Sequence, residues 1–346
     1  MSHTVVVSKR LVPSNSKLSD RREVSYYWTQ LMNLWGIRGR CATSSTFAPG
    51  CNPRSLSRRL APRLSTRRYH ICLKSDGVRY ILFMTTRMGQ PTQGVSLMID
   101  RSRNMYEVET AAPEEHFLKG TILEGELVWK QPDEHSMIYY VFDAVVVQGV
   151  SVMPRPFEER LNIATSLTRF SSELRNESDV RILETKTIVL CQFDPCVDMK
   201  PKTFVERKFA SRLWSERNES EHRVDGIIIQ CTDAPYTIGT AEDDSVFKWK
   251  EHSTVDLRGI PPNLHTADVQ LPQRICDRRV VICTSRIQAS ADGDVIEYYI
   301  TVTESEVHLM PVRTRPDKTT ANGMRVVTAT VEDVINAITP HDIATQ

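Results

Sequence analysis

Residues 70–84 read HICLKSDGVRYILFM, two apolar runs joined by Lys74-Ser75-Asp76-Gly77. Each run is short and rich in β-branched and aromatic residues, and Asp-Gly between such runs is a turn signal. The stretch is therefore read as strand, tight loop and strand, with a lysine presented at a strand end where it can face a cleft. A surface lysine beside an ordinary Asp-Gly turn would explain the same letters. The rest of the chain decides between the two.

Outward from this pair, strand-like runs recur: VSLMID (95–100), TILEGELVW (121–129), MIYYVFDAVVV (137–147), TIVLCQFD (187–194), DGIIIQ (225–230) and VFKWK (246–250). Gly, Pro or Asp bounds each. Helical spacing marks DRREVSYYWTQLMNL (20–34), opened by Asp20 as a cap, and the segments 156–174 and 202–216. The fold class is α+β with mostly antiparallel sheets. After Lys250 the texture changes. Pro261, Pro262 and Pro272 punctuate a loop-rich stretch, followed by the runs 279–288, 295–303 and 307–313. Such short strands suit a small barrel such as an OB-fold. TVEDVINAI (330–338) is read as a closing helix capped by Thr330, with Asp333 three residues on. The boundary falls near 251–258, giving domains 1–254 and 255–346. No internal repeat is found.

The 346 residues can build two domains with real cores. The longest apolar candidate, Tyr139 to Val150, contains Asp143 and Gln148 and is too short to span a membrane. With no secretory leader either, a soluble intracellular protein is expected. Eight scattered cysteines form no C-x-x-C pair, and Cys191 and Cys196 lack a second pair to complete a zinc tetrahedron. A reducing compartment fits. The net charge of +1 hides an asymmetry, for residues 1–70 hold 13 Lys or Arg against Asp20 and Glu23. Arg54, Arg58, Arg59, Arg63, Arg67 and Arg68 are interleaved with apolar residues, which favours a folded basic face able to attract a polyanion.

KSDGVRY resembles the nucleophile motif K-x-D-G-x-R of covalent nucleotidyltransferases, the superfamily of mRNA capping enzymes and ATP- or NAD-dependent polynucleotide ligases. Further motifs follow in the family's order. Glu124-Gly125-Glu126-Leu127-Val128 is similar to D-G-E-L-V, and Phe142-Asp143-Ala144 to the next strand. Asp225-Gly226 opens a D-G-x-I-x match, and Lys248-Trp249-Lys250 matches K-W-K. Arg315, Asp317 and Lys318 stand in RTRPDKTTAN, which resembles R-x-D-K-x-x-x-N. The capping branch is favoured by FAPGCNPRSL before the nucleophile, by MIDRSRNMYEV, by STVDL after K-W-K, and by the terminal motif. The resemblance implies a nucleotidyltransferase domain followed by an OB-fold domain, with a nucleotide cleft between them.

It further implies that Lys74 attacks the α-phosphorus of GTP and carries GMP through a phosphorus–nitrogen bond to the 5′-diphosphate end of an RNA. A lysine attacks only when neutral, so Arg79, Lys248 and Lys250 are expected to crowd positive charge around Lys74 and, with burial, to lower its pKa. Lys248 and Lys250, two apart on a strand, share a face and fit the α-phosphate. Arg79 matches the ribose-contacting arginine, and Arg101, with Arg103 as competitor, the arginine near the phosphates. Phe142 matches the aromatic that stacks on guanine. Glu126 matches a ribose- or metal-linked glutamate; Glu124 replaces the usual Asp and takes no role. Lys202, with Lys200 second, matches the lysine that reads guanine O6. Asp225 matches the acid linked to Mg²⁺ or Mn²⁺, an ion held mostly by phosphate oxygens. Arg315, Asp317 and Lys318 are expected to reach the β- and γ-phosphates by domain closure, although Leu309 and Ala321 depart from the family's Trp and Pro.

Two other readings compete: an ATP-dependent RNA or DNA ligase using the same lysine, and a non-catalytic RNA-binding scaffold. KSDGVRY, KWK and RTRPDK oppose the first, and the intact set Lys74, Arg79, Glu126, Lys248 and Lys250 opposes the second. Neither a cysteine-phosphatase loop nor acidic triphosphatase strands are present, so a separate RNA triphosphatase and cap methyltransferase are expected as partners. The family also suggests a nuclear setting and contact with the RNA polymerase II C-terminal tail.

Overall fold

The computed structural model describes residues 17–38, 49–132, 136–173, 189–191, 197–258, 272–283, 294–315 and 320–346. The chain divides into two compact units, one of Met1–Ser55 with Arg67–Lys248, the other of Leu56–Thr66 with Trp249–Gln346.

In the first unit, helix α1 (Arg21–Trp35) starts where the Asp20 carboxylate accepts from the Arg22 N–H. It stops at Gly36, whose left-handed φ of 76° turns its N–H back to the last carbonyls. Then come β1 (Cys51–Asn52), β2 (Arg54–Ser55), β3 (Tyr69–Ser75), β4 (Val78–Arg87), β5 (Gln90–Ile99), β6 (Met105–Ala111) and helix α2 (Glu114–Leu118). β7 (Thr121–Trp129), β8 (Met137–Val147), β9 (Val150–Ser151), helix α3 (Phe157–Glu173), β10 (Val189–Cys191), β11 (Val197–Pro201) and β12 (Val205–Glu206) follow. Helix α4 (Ala210–Ser215), β13 (Val224–Cys231) and β14 (Gly239–Thr240) come next, and β15 (Val246–Lys250) runs across its end at Lys248.

One sheet runs β10-β6-β5-β4-β7-β8-β11 with β9 on β8, and another runs β12-β3-β13-β15-β2. β1 pairs with β14. Pairing is mainly antiparallel, with β8–β11, β2–β15 and β1–β14 parallel. The larger sheet is buried on both faces. Tyr80, Leu82 and Met84 of β4 join a core that includes Ala164 of α3, while Ile81 and Phe83 pack with Tyr27, Leu31 and Trp35 of α1. That explains why ILFM is a continuous apolar run rather than an alternating one. Gly125 is required on β7, since a Cβ there would lie 2.5 Å from the Tyr139 ring. No helix among the described residues is long and apolar enough to cross a membrane.

The second unit holds β16 (Thr254–Arg258), β17 (Arg274–Ile275), β18 (Arg278–Ile282), β19 (Val295–Val302) and β20 (Glu306–Thr314), then α5 (Met324–Ile335) and α6 (Pro340–Thr345). Its sheet order is β16-β19-β20-β18-β17. Ile296, Tyr298 and Ile300 alternate inward against Val327 and Val331 of α5.

Two expectations need correcting. The closing helix begins at Met324 after Gly323, not at Thr330. Thr330 lies inside it, its hydroxyl donating to the Val326 carbonyl one turn back, so it caps nothing. Residues 202–216 do not form one helix. Val205–Glu206 pairs with β3, Arg207–Phe209 is a 3-10 turn, and only Ala210–Ser215 is α-helical. The pairing of β12 with the edge of β3 overrides the local helical spacing.

Candidate active site

Lys74 is the penultimate residue of β3, opposite Gly226 of β13. The register slips between Val224 and Gly226, so Asp225 is an extra residue bulged toward the lysine. Its carboxylate lies 2.6 Å from the Lys74 ammonium, and both side chains are partly buried. Burial is the largest influence on the Lys74 amine and pulls its pKa down, but Asp225, Glu126 and Asp76 together overcome it and raise the pKa. The expected cationic ring is therefore corrected. The charges that dominate around this amine are acidic, because the bulge aims Asp225 at it and Arg79 turns elsewhere.

Arg79, on β4, sends one nitrogen to the Cys51 carbonyl and another to Glu124, 2.5 Å away. Glu124 is fully buried, and its second oxygen accepts from the Tyr236 hydroxyl at 2.6 Å. The Tyr236 oxygen accepts in turn from the Cys51 N–H. Gly50, with a φ of 123°, packs against this group; a Cβ there would stand 2.5 Å from the Arg79 guanidinium. Glu124 thus holds Arg79, and Tyr236 holds Glu124. The sequence marked Glu124 without explaining it and offered no periodic signal for Tyr236. The Phe142 ring lies on the same side of the sheet, its centroid 5.5 Å from the Arg79 guanidinium.

Glu126, half-buried on β7, accepts from the Gly77 N–H. Burial raises its pKa, and Lys74 and Lys202 oppose that rise. The two lysines left open by the sequence separate clearly. Lys200 makes an outer ion pair with Glu221 at 2.8 Å. Lys202 is buried, 2.6 Å from the Ser75 hydroxyl and 4.6 Å from the Tyr140 ring centroid. Burial lowers its pKa, with Lys74 adding to the effect. Arg101 and Arg103 separate as well. Arg101 reaches Asn52 and shares the field of Arg79, Glu126 and Glu124, whereas Arg103 packs its guanidinium 4.1 Å from the Trp28 ring centroid.

Lys248 and Lys250 alternate with buried Phe247 and Trp249 along β15, so both lysines emerge on one face. In the second unit, Arg315 is 3.0 Å from Asp256 and 3.5 Å from Glu297. Asp317 and Lys318 lie outside the described residues. Arginines expected to form a folded basic face carry acidic partners. Arg54 pairs with Asp244, Arg67 with Asp233, Arg68 with Glu158 and Arg58 with Asp342. These partly exposed pairs, each worth about 0–1 kcal/mol, give four of the segment's arginines an acidic partner within the fold.

The arrangement brings a primary amine, two carboxylates and a buried second lysine together around the ends of β3 and β13, a layout suited to phosphate-directed nucleophilic chemistry. Among the described residues no group of three or more His, Cys, Asp or Glu could hold a metal ion. Asp225 and Glu126 could supply one or two carboxylate oxygens to a cation completed by substrate phosphates. The free thiols of Cys51, Cys72, Cys231, Cys276 and Cys283 add no second centre.

Residues 10–252 match the family model described as "mRNA capping enzyme, catalytic domain". The mRNA-capping enzyme subunit alpha of Schizosaccharomyces pombe is 29% identical over 251 residues, covering 69% of this chain and 58% of that protein. The mRNA-capping enzyme of Caenorhabditis elegans is 25% identical over 331 residues, covering 88% of this chain and 49% of that protein. The chain thus spans about half the length of the relatives it matches. Among solved structures, mycobacterial DNA ligase D complexed with ATP aligns at a TM-score of 0.43 with 13% identity, over 78% of this chain and 95% of that one.

Proposed function

The chain belongs to the mRNA capping enzyme family, through its catalytic domain, and from that premise we propose that it is a GTP:RNA guanylyltransferase. The observation that carries the reading is the Lys74 amine, held 2.6 Å from a bulged Asp225 at the end of β3. The neutral amine attacks the α-phosphorus of GTP. A phosphorus–nitrogen bond forms, the bond to the bridging oxygen of the β-phosphate breaks, pyrophosphate leaves with that electron pair, and the nitrogen sheds one proton to solvent. A terminal oxygen of a 5′-diphosphate RNA then displaces Lys74 from phosphorus as the nitrogen takes a proton back, giving the GpppN end and returning the neutral amine.

Each neighbour has a physical task in this scheme. Arg79, fixed by Glu124 and the Cys51 carbonyl, presents the remainder of its fork to the ribose. Phe142 offers an aromatic face to the base. Lys202, steadied by Ser75, donates to guanine O6. Arg101, Lys248 and Lys250 are assigned to the phosphates nearest the reacting centre, and Arg315, Asp317 and Lys318 to the β- and γ-phosphates. Asp225 and Glu126 fit Mg²⁺ or Mn²⁺, which neutralises phosphate charge when bound. Asp225 cannot pair fully with an ammonium and with a metal cation at once. Loss of the Lys74 proton is thereby tied to engagement of Asp225 by another positive partner.

An OB-fold is proposed for the C-terminal domain, with the domains as 1–254 and 255–346; the compact units differ in taking Leu56–Thr66 and Trp249–Thr254 into the second. A nuclear setting, a separate RNA triphosphatase and cap methyltransferase, and the RNA polymerase II tail belong to the same reading. The test is incubation with Mg²⁺ and α-labelled GTP or ATP, followed by denaturing electrophoresis. Label from GTP, lost in Lys74→Ala, is the expected result. Label from ATP alone would make the chain a ligase, and label persisting in Lys74→Ala would remove the nucleophile.

A further inference from the structure

His222 lies three residues before Asp225, is buried, and has no place in the scheme above. Its Nε2 stands 2.9 Å from the Ser75 hydroxyl and 3.3 Å from the Lys202 amine, and its Nδ1 stands 3.0 Å from the Ser220 hydroxyl. The ring also packs on Tyr140, centroid to centroid 4.8 Å, the same ring that Lys202 covers.

These contacts are mutually consistent in one direction. A lysine ammonium only donates, so the 2.6 Å contact makes Ser75 the acceptor from Lys202. The same ammonium faces Nε2 at 3.3 Å, so Nε2 must carry no proton. The Ser75 hydroxyl then donates to Nε2, and the imidazole proton sits on Nδ1, where Ser220 accepts it. The result is a donor chain from Lys202 through Ser75 and His222 to Ser220. Burial, followed by the charge of Lys202, pushes the imidazole down to about 3, so it stays neutral and Nε2 stays an acceptor across physiological pH.

We propose that His222 is a specificity-determining positioning residue: by taking the Ser75 proton it makes Ser75 an acceptor that orients Lys202, so that the lysine offers a donor to the 6-keto oxygen of a purine nucleotide and opposes a 6-amino group. The proposal rests on the guanylyl-transfer reading and deepens it. Without His222 the Ser75 hydroxyl rotates freely and can serve either type of base, as acceptor to an amino group or as donor to a keto oxygen. A buried donor facing another donor is the stronger source of discrimination, because neither finds a partner.

The experiment compares covalent nucleotide formation from GTP and from 2,6-diaminopurine riboside triphosphate, which keeps the 2-amino group and replaces the keto oxygen by an amino group. The native protein is expected to prefer GTP. His222→Leu should shrink that preference about fivefold to tenfold, the worth of one hydrogen bond of about 1 kcal/mol or slightly more. His222→Gln, whose amide oxygen can stand near the former Nε2, should restore most of it. Ser220→Ala, which releases the tautomer, should shrink the preference by a smaller factor and covers the case in which His222→Leu does not fold. Equal slowing with both nucleotides, or an unmoved ratio in all three variants, would overturn the role. If the native protein forms no adduct with GTP, the guanylyl-transfer reading fails first. If it forms the adduct and the ratio stays fixed, only the assignment of His222 fails.

Discussion

Glu124→Ala is the most demanding perturbation of the site, because it removes a side chain that touches no nucleotide in the proposed reaction. The Glu124 side chain is 1% exposed and its partner Arg79 is 13% exposed. Deletion strips the guanidinium of its 2.5 Å carboxylate and the Tyr236 hydroxyl of its acceptor. Breaking a buried pair by removing one partner costs about 3–5 kcal/mol, chiefly from the charge left behind. In a unit of this size that corresponds to a fall of roughly 6–20 °C in Tm. Tyr236→Phe loses the hydrogen bond to the Glu124 carboxylate and the acceptor of the Cys51 N–H, and the charged bond alone should cost about 1.5–3 kcal/mol. Both are measured by denaturant unfolding beside the yield of covalent GMP at temperatures where each variant remains folded. The yield should fall even there, since in the proposed reaction a released Arg79 no longer meets the ribose in one orientation. A Glu124→Ala protein within about 1 kcal/mol of native would refute the claim that this carboxylate anchors Arg79.

Two further outcomes follow from the charges around the same strands. Asp225→Asn removes the leading acidic influence on Lys74 and leaves burial dominant, so the free amine should become less basic. Competitive acylation followed by mass spectrometry, without nucleotide, should then show Lys74 reacting severalfold faster at neutral pH, while covalent GMP formation falls; an unchanged or slower acylation would contradict the ion pair. His222 has a folded-state pKa near 3 against an ordinary 6.5, so the unfolded chain binds the extra proton first as pH falls. Its contribution is complete above about pH 6.5 and declines toward pH 3 by up to about 1.4 kcal/mol per pH unit. His222→Gln should flatten that slope in denaturant titrations, and an identical slope would mean that the imidazole is not held neutral.

The strands of the first unit were legible because their cores write themselves into the letters. TILEGELVW and MIYYVFDAVVV match β7 and β8 at both ends, and Asp20 caps α1 as its position suggests. Alternation along VFKWK correctly separated the two lysines from Phe247 and Trp249. Local signals failed where a long-range contact decides. Residues 202–216 carry helical spacing, yet Val205 and Glu206 are taken up by the edge of β3. Thr330 and Asp333 imitate a capping pattern inside a helix that already began at Met324.

The site divides along the same line, and the reason is physical. A strand's period of two tells which residues share a face, but it says nothing about which opposite charges meet across strands. Arg79 stands in register with Glu126 and yet pairs with Glu124, two residues along the same face. One displaced pairing reverses the electrostatics expected for Lys74. With Arg79 neutralised by Glu124, and with the bulge in β13 delivering Asp225, the Lys74 amine meets acids before it meets bases. In the proposed scheme, an amine kept protonated in the free state is poorly nucleophilic toward adventitious electrophiles and becomes reactive when Asp225 is drawn to another cation. The register slip between Val224 and Gly226 therefore does more to set the chemistry of Lys74 than any residue of its own loop. Closing that slip by deleting Val224 should leave Lys74 with a lower pKa and without its 2.6 Å partner, an outcome that amide-proton exchange and competitive acylation would read together.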